Sequence, residues 1–213
     1  MKIKWWGHAT FTITTFQGTK IVTDPYNEDL PYKIVKDKAD IVTVSHDHFD
    51  HNAVDLVPGS SSIVRDISGY SDKEIKIKGI KSYHDDQEGN ERGENIIFIY
   101  NFNDLKLSHL GDLGHPLNEE QKEGLKDVDV LLIPVGGHFT IDADQAYEIV
   151  KQIKPEVIFP MHYKTDILDL PIKGVDKFLK YFDHDSIVRV NGPEIEFSSL
   201  PFEQKVYVPE YVK

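Results

Sequence analysis

The sequence contains no cysteine among its 213 residues, which excludes disulfides, thiolate metal sites and cysteine nucleophiles. A G-x-S-x-G nucleophile elbow is also missing. The longest apolar runs, such as Val130 to Val135, are strand-sized, whereas a membrane span needs roughly 20 residues. The N-terminus has neither an apolar stretch nor a small-residue cleavage site, so it predicts no signal peptide. Together these features predict a cytoplasmic protein with no membrane partner.

Positive charge is scarce, because 24 Lys and Arg residues face 36 Asp and Glu residues and the formal net charge is −12. Such a chain repels a phosphate backbone on average, and Asp72 and Glu74 interrupt the densest lysine stretch. We therefore expect a small-molecule substrate and no nucleic-acid partner. The ten histidines are more informative, since histidine and carboxylate together bind hard and borderline metals.

The hydrophobic pattern predicts one domain over residues 1–213, with strands in the first half and alternating strands and helices in the second. Four segments read as helices: Leu30 to Asp37, the stretch after Asn118 through Asp127, Ala143 to Ile153, and Lys173 to Phe182. Ser186 to Val190 and Glu194 to Leu200 are predicted to form a closing strand pair across Asn191-Gly192. No repeat or linker divides the chain.

Residues 45–51 follow a predicted strand and contain the pattern H-x-H-x-D-H. With ten histidines in 213 residues, this pattern arises by chance in about two chains in a thousand. Residues two apart after a strand project the same way, so His46 and His48 can bind one ion. Asp50 and His51 are adjacent, point elsewhere and suit a second ion.

In these residues the chain resembles the metallo-β-lactamase superfamily. Residues 46–51 match the H-x-H-x-D-H loop of that superfamily at every position. The superfamily also has a later histidine, an aspartate after a glycine and a final histidine after a strand. The matching positions are His84 in Ser82-Tyr83-His84-Asp85, Asp112 in Leu110-Gly111-Asp112 and His162 in Pro160-Met161-His162-Tyr163. The pieces Gly7-His8-Ala9-Thr10 and Thr23-Asp24-Pro25 resemble the compact branch of ascorbate-6-phosphate lactonase-like hydrolases.

The resemblance implies an α/β (α+β) fold, namely a four-layer αββα sandwich of two mixed β-sheets with outer helices. It also implies two divalent ions, with Zn²⁺ expected first and Mn²⁺ or Fe as alternatives. The implied ligands are His46, His48 and His84 for one ion, Asp50, His51 and His162 for the other, and Asp112 as the bridge. A metal-bridging hydroxide, oriented by Asp50, would hydrolyse an ester, lactone, amide or phosphodiester of a small molecule.

Two other histidines have predicted roles beside the ligands. His8 is interpreted either as a hydrogen-bond partner of a ligand carboxylate or as a loop residue in the core. His138 follows Gly136-Gly137, and we expect it to face the substrate and donate to a developing oxyanion, with a plain surface residue as the alternative. The polar, glycine-containing residues 85–93 predict a mobile loop over the site. No cluster of Arg and Lys fixes a phosphate pocket, although Arg65, Arg92 and Lys164 could each contribute one positive charge.

Three alternative functions fit the same ligands less well. A non-haem iron oxidoreductase is compatible with His and carboxylate ligands, but such enzymes usually carry an extra domain or lose part of the second site. A nucleic-acid phosphodiesterase of the superfamily would be expected to show a basic surface or an inserted arm. A non-catalytic metal-binding module would have a site closed to water. Hydrolysis of a small molecule is therefore the leading hypothesis, and the oligomeric state is left open.

Overall fold

The computed structural model describes residues 1–213 and contains fourteen strands, three α-helices and two 3₁₀ turns. In chain order the strands are β1 (Lys2–Gly7), β2 (Thr10–Thr14), β3 (Lys20–Thr23), β4 (Ile41–Thr43), β5 (Ser62–Val64), β6 (Tyr70–Ser71), β7 (Ile75–Tyr83), β8 (Glu94–Phe102), β9 (Leu105–His109), β10 (Val130–Pro134), β11 (Val157–Met161), β12 (Ile187–Arg189), β13 (Glu194–Glu196) and β14 (Lys205–Val208). The helices are α1 (Glu119–Gly124), α2 (Ala143–Ile153) and α3 (Asp176–Leu179). No helix is both long and apolar enough to span a membrane.

The strands form two mixed sheets, which confirms the predicted sandwich of two mixed sheets. One sheet has six strands in the order β13-β1-β2-β3-β4-β5, and the other has eight in the order β12-β14-β11-β10-β9-β8-β7-β6. In the first sheet β3, β4 and β5 are parallel and the rest antiparallel. In the second sheet the pairs from β9 to β12 are parallel and those from β6 to β9 antiparallel.

The six-stranded sheet buries both of its faces. Neighbouring residues along a strand point to opposite sides of a sheet, and here both sides meet a hydrophobic core. Trp5 and Ile41 belong to the main core between the sheets, whereas their neighbours Trp6 and Val42 belong to a smaller second core. That second core is covered largely by the irregular residues 26–39. The layer outside this sheet is therefore built from irregular chain.

The predicted helix over Leu30 to Asp37 is wrong, since the segment holds neither helix nor strand. Leu30, Tyr32 and Val35 pack into the second core. The carbonyl of Lys33 accepts a hydrogen bond of 2.9 Å from the hydroxyl of Tyr26. Contacts with the sheet thus fix this segment in place of helical hydrogen bonds.

The predicted closing strand pair is also wrong, because its two strands lie in different sheets. β12 pairs with β14, and β13 pairs with β1. Between them the backbone amide of Trp5 donates to the carbonyl of Pro193 at 2.8 Å, which draws the chain onto the first sheet. β14, which the sequence pattern did not predict, lies between β11 and β12 in the second sheet.

The helices of the second half agree with the predictions to different extents. α2 has the predicted bounds, and Asp142 caps it by accepting from the amides of Asp144 and Gln145. α1 ends three residues early, at Gly124. α3 covers only Asp176–Leu179 of the predicted ten-residue segment. Before it, Lys173 pairs its backbone with Gly136 and Lys164, so that end of the segment runs as a loop.

Candidate metal centre

Polar loops from both sheets meet at one edge of the sandwich. β1, β3 and β4 of the first sheet end just before His8, Asp24 and residues 45–51 respectively. β7, β9 and β11 of the second sheet end before His84, Asp112 and His162. The pairing places the carboxyl ends of these strands on the same side within each sheet, where functional groups of layered α/β folds commonly lie. The fold therefore brings together all seven predicted ligands and His8.

The histidines of this edge form two groups. His46, His48 and His84 have ring nitrogens within 4.8 Å of one another, and we call them the open group because His48 is only half-buried. His8, His51 and His162 also have ring nitrogens within 4.8 Å of one another. They are between 0% and 1% exposed, and we call them the buried group.

Asp112 lies between the two groups. Its Oδ2 is 3.2 Å from Nε2 of His84 in the open group. In the buried group it is 3.3 Å from Nε2 of His51 and 3.1 Å from Nε2 of His162. One carboxylate thus reaches both groups, as a bridging ligand must.

Asp50 lies next to the buried group. Its Oδ2 accepts a hydrogen bond of 3.2 Å from Nε2 of His8 and is 3.9 Å from Nε2 of His51. His8 therefore contacts a predicted ligand carboxylate, as one of its two interpretations requires. Its backbone φ of 52° lies in the left-handed region, as does the φ of 50° at His162. Such strain often accompanies functional sites and is sustained by the surrounding structure.

Asp24 fixes the orientation of two of these histidines, a role that the sequence analysis missed. Its fully buried carboxylate accepts from Nδ1 of His51 at 3.0 Å and from the amide and hydroxyl of Ser45 at 2.7 and 2.5 Å. The Ser45 hydroxyl donates its only proton to Asp24. Its oxygen therefore accepts from Nδ1 of His46, at 2.9 Å. In both histidines Nδ1 is therefore engaged, and Nε2 is the ring nitrogen left for a ligand. The only sequence signal was an aspartate directly after the end of a strand.

The unpartnered buried atoms of the site fit a bound cation. Nε2 of His46, Nε2 of His51 and Oδ1 of Asp112 are buried and have no hydrogen-bond partner. Such groups are costly to bury unless something satisfies them. Nε2 of His51 and Oδ2 of Asp112 are only 3.3 Å apart, yet they form no hydrogen bond. Five histidines and two aspartates form a donor set that suits zinc and other divalent transition metals.

The pKa values of the site follow from burial and from its carboxylates. Burial holds the pKa of His46 well below its usual value and lowers that of His8 to about 4. Burial also disfavours the charged form of His51, but Asp112 and Asp24 outweigh it and raise the His51 pKa well above the usual value. For Asp112 burial is likewise outweighed, by His162 and His51, and its pKa lies well below the usual range. The carboxylate thus keeps the negative charge that a cation requires.

Three neighbours hold Asp112 in place. Its backbone amide donates to Oδ1 of Asn95 at 3.0 Å. His109 accepts from the amide of Gly111 at 3.1 Å and contacts the carbonyl of Ala9 through Nε2 at 2.8 Å, so its role is structural. Gly111 has a φ of 56°, and a Cβ atom there would lie 2.3 Å from Oδ1 of Asn95. Only glycine fits this turn.

A cleft of about 370 Å³ opens onto the metal centre, and we call it the main cleft. Its lining consists of His48, Phe49, Asp50, His84, Arg92, Asp112, Phe139, His162 and Leu170. His138 does not line it. Instead His138 is exposed and lines a separate cavity with Asp142 and Lys173. The turn at Gly137 directs His138 outward and Phe139 inward, so the geometry does not support the catalytic role predicted for His138.

Two remaining histidines lie outside the group of ligands. His115 accepts a hydrogen bond of 3.1 Å at Nε2 from the backbone amide of Tyr83. It therefore supports the end of β7, just before His84. His184 is fully exposed beside Asp185 and lies away from the site.

Comparison with known proteins identifies the class of the molecule. The family model described as a β-lactamase superfamily domain matches residues 2–162. The chain therefore belongs to this family, and it is a metal-dependent hydrolase of the metallo-β-lactamase superfamily.

Individual relatives are equally consistent. A UPF0173 metal-dependent hydrolase of Thermoplasma acidophilum is 31% identical over 192 residues, which cover 78% of this chain and 84% of that protein. A crystal structure from Thermotoga maritima, described as a Zn-dependent hydrolase of the metallo-β-lactamase superfamily, is 39% identical. It covers 99% of both chains with a TM-score of 0.82. A metallo hydrolase of Ignicoccus hospitalis shares the fold, with a TM-score of 0.68 at 24% identity over 92% of this chain and 99% of that one.

Proposed function

We propose that this hydrolase is binuclear and that it cleaves an ester, lactone, amide or phosphodiester bond of a small molecule. The single observation that carries the proposal is the position of Asp112. One oxygen of this buried carboxylate lies 3.1–3.3 Å from histidines of both groups. A mononuclear site would leave one of the two histidine groups without a bound ion.

The proposed ligands follow the two groups, except that Asp50 takes the place of His8, whose Nε2 donates to Asp50. His46, His48 and His84 would hold one ion, His51, His162 and Asp50 would hold the other, and Asp112 would be shared between them. Held by these residues, two divalent ions would make a hydroxide available at neutral pH and would polarise the oxygen of the bond under attack. We propose zinc, because histidine-rich sites with a few carboxylates are typical of it.

The residues of the chain position the reaction. His8 and Asp24 fix the direction of Asp50 and His51 through hydrogen bonds of 3.2 and 3.0 Å. His8 and His51 hold the pKa of Asp50 below its usual value against the effect of burial, so Asp50 stays a carboxylate. It lines the main cleft and is placed to accept a proton from the attacking water.

The main cleft sets the size of the substrate. A volume of about 370 Å³ lies at the lower end of the range for small-molecule pockets. Phe49, Phe139 and Leu170 form an apolar wall beside the ligands. We therefore propose a compact substrate with an apolar portion near the scissile bond.

Metal analysis of protein purified without chelator tests the proposal. We expect about two equivalents of zinc per chain, and a selective loss of affinity in His48→Ala for the open group and in His51→Ala for the buried group. His184→Ala is the matched control, because His184 is fully exposed. Hydrolysis of an ester and lactone panel should follow zinc content.

Each other outcome has a definite meaning. One equivalent of metal, lost equally in both variants, would contradict the binuclear site. Iron at two equivalents would redirect the search to redox chemistry. No metal on purification or after titration would show that the proposed centre is not a metal site.

A further inference from the structure

Arginine is rare in this chain, but it is concentrated beside the metal centre. Only three arginines occur in 213 residues, namely Arg65, Arg92 and Arg189. Two of them, Arg65 and Arg92, line one cleft together with His46 and His48. Arg92 also lines the main cleft. It therefore stands where the two clefts meet.

Both guanidinium groups have donors free for a ligand. Arg65 is exposed and forms no ion pair within 4.0 Å. Arg92 contacts only its chain neighbour Glu91, through Nη1 at 3.3 Å, and both side chains are partly exposed. Such a solvent-exposed, single contact is weak. An incoming anion can therefore replace it.

The acidic side chains of the same cleft are engaged elsewhere. Asp47 accepts a hydrogen bond of 2.6 Å from the amide of Asn52. Glu94 pairs with Lys81. The arginines are thus the positively charged groups of this cleft, and most of their donors are unused. In a chain with a net charge of −12, they form a local exception to the overall repulsion of anions.

Arg92 is held at a fixed position relative to the metal ligands. The buried carboxylate of Asp85 accepts four backbone hydrogen bonds of 2.7–3.0 Å from the loop that follows it, at Gln87, Gly89, Glu91 and Arg92. The backbone amide of His84 donates to Gly93 at 3.0 Å. The loop expected to be mobile is therefore closed around Asp85. It ties Arg92 to the backbone of His84, a proposed ligand.

We propose that Arg92, assisted by Arg65, binds an oxyanion of the substrate, so that the hydrolase acts on small molecules that carry a carboxylate or phosphate group. The planar guanidinium can donate two parallel hydrogen bonds to either group. The apolar wall of Phe49, Phe139 and Leu170 lines the same cleft as Arg92 and takes the uncharged portion. That the bound molecule is hydrolysed rests on the proposed function, whereas binding of the anion by Arg92 does not.

Equilibrium binding to the metal-loaded protein tests the subsite without turnover. The probes are succinamate, methyl phosphate and the neutral isostere succinamide, titrated by calorimetry into the wild type, Arg92→Gln and Arg92→Lys. We expect Arg92→Gln to weaken binding of at least one anion about tenfold and to leave succinamide unchanged. The anion affinity of Arg92→Lys should lie between that of the wild type and that of Arg92→Gln, because lysine keeps the charge but loses the planar fork. Arg65→Gln should have a smaller effect in the same direction.

Arg189→Gln is the matched control, because Arg189 pairs with Asp176 on the surface and lines neither cleft. Selective loss of succinamate or of methyl phosphate in Arg92→Gln would identify the anion as a carboxylate or a phosphate. Equal anion binding by the wild type and Arg92→Gln, or no anion binding by the wild type, would overturn the proposal. Metal content measured on the same samples separates this failure from a failure of the binuclear site.

Discussion

The two histidine groups of the metal centre differ in how they meet the solvent. The buried group lies beneath the surface, and Asp24 and Asp50 accept hydrogen bonds from His51 and His8 within it. In the open group His48 is half-buried and lines two clefts. We therefore expect the substrate to approach from the open side, whereas charged hydrogen bonds hold the buried side. We expect the buried group to bind its ion more tightly.

Asp112→Asn should abolish this difference, because it removes the charge shared by both groups. The amide keeps the size of the side chain but cannot bridge two cations as a carboxylate does. We expect both ions to be lost and kcat/KM to fall by more than the roughly 100-fold typical of changes beyond the direct ligands. Metal analysis and hydrolysis assays measure the two effects.

Asp47→Asn is the control for Asp112→Asn, since Asp47 lies within the same histidine motif but accepts from Asn52 at the surface. It should retain both ions. An Asp112→Asn protein with two ions and undiminished hydrolysis would contradict the bridging role.

Asp24→Asn should act mainly on the buried group. If the new NH₂ replaces Oδ2, it faces both the Ser45 hydroxyl and Nδ1 of His51, which now donate there. If it replaces Oδ1, it faces the donating backbone amide of Ser45. We expect affinity for the ion of the buried group to fall by about 10–100-fold. The mismatched buried donor should also lower the free energy of unfolding by about 1–3 kcal/mol.

A stepwise zinc titration and thermal unfolding measure these changes, with the exposed Asp29→Asn as the control. A loss of affinity confined to the open group would reverse the comparison between the groups. Unchanged affinity in both would mean that Asp24 has only a structural role.

Ser45→Ala should give the converse and smaller effect on the open group. It removes the hydroxyl that accepts from Nδ1 of His46 and donates to Asp24, but it leaves the contact between Asp24 and His51 intact. We expect the ion of the open group to bind less tightly, toward the lower end of the 10–100-fold range. The same zinc titration checks it, and Ser68→Ala, at an exposed position, should change neither step. Weakening of the buried group alone would contradict the assignment.

The sequence could predict the site only where its pattern is local or where the family resemblance supplies a position. The motif at residues 46–51 is local, and the resemblance supplied His84, Asp112 and His162, so all the proposed ligands were found. The role of Asp24 was not predicted, because its partners Ser45 and His51 lie 21 and 27 residues away. Only the pairing of β3 with β4 brings them together. Long-range backbone pairing likewise determines the separation of β12 from β13.

Local conformation explains the remaining errors. Tertiary contacts override helix formation at Leu30 to Asp37, where the side chains pack on the second core. The outward direction of His138 depends on two successive left-handed residues, with φ of 67° at Gly137 and 66° at His138. A pattern of residue types does not specify such a turn. The sequence thus indicated the residues that the fold brings together as candidate ligands, but it did not indicate the direction of a loop side chain.

His138→Ala should have the smallest effect of all, within twofold of wild-type kcat/KM, because the side chain lies outside the main cleft. Phe139→Ala is its matched partner, one residue along the same turn but on the wall of that cleft. Loss of this wall should raise KM several-fold for substrates with an apolar group, since roughly 25 cal/mol is lost per Å² of apolar contact. Steady-state kinetics on one apolar ester distinguish the two. A large fall in kcat for His138→Ala, with Phe139→Ala unchanged, would restore the catalytic role to His138 and place the substrate on the other side of the turn.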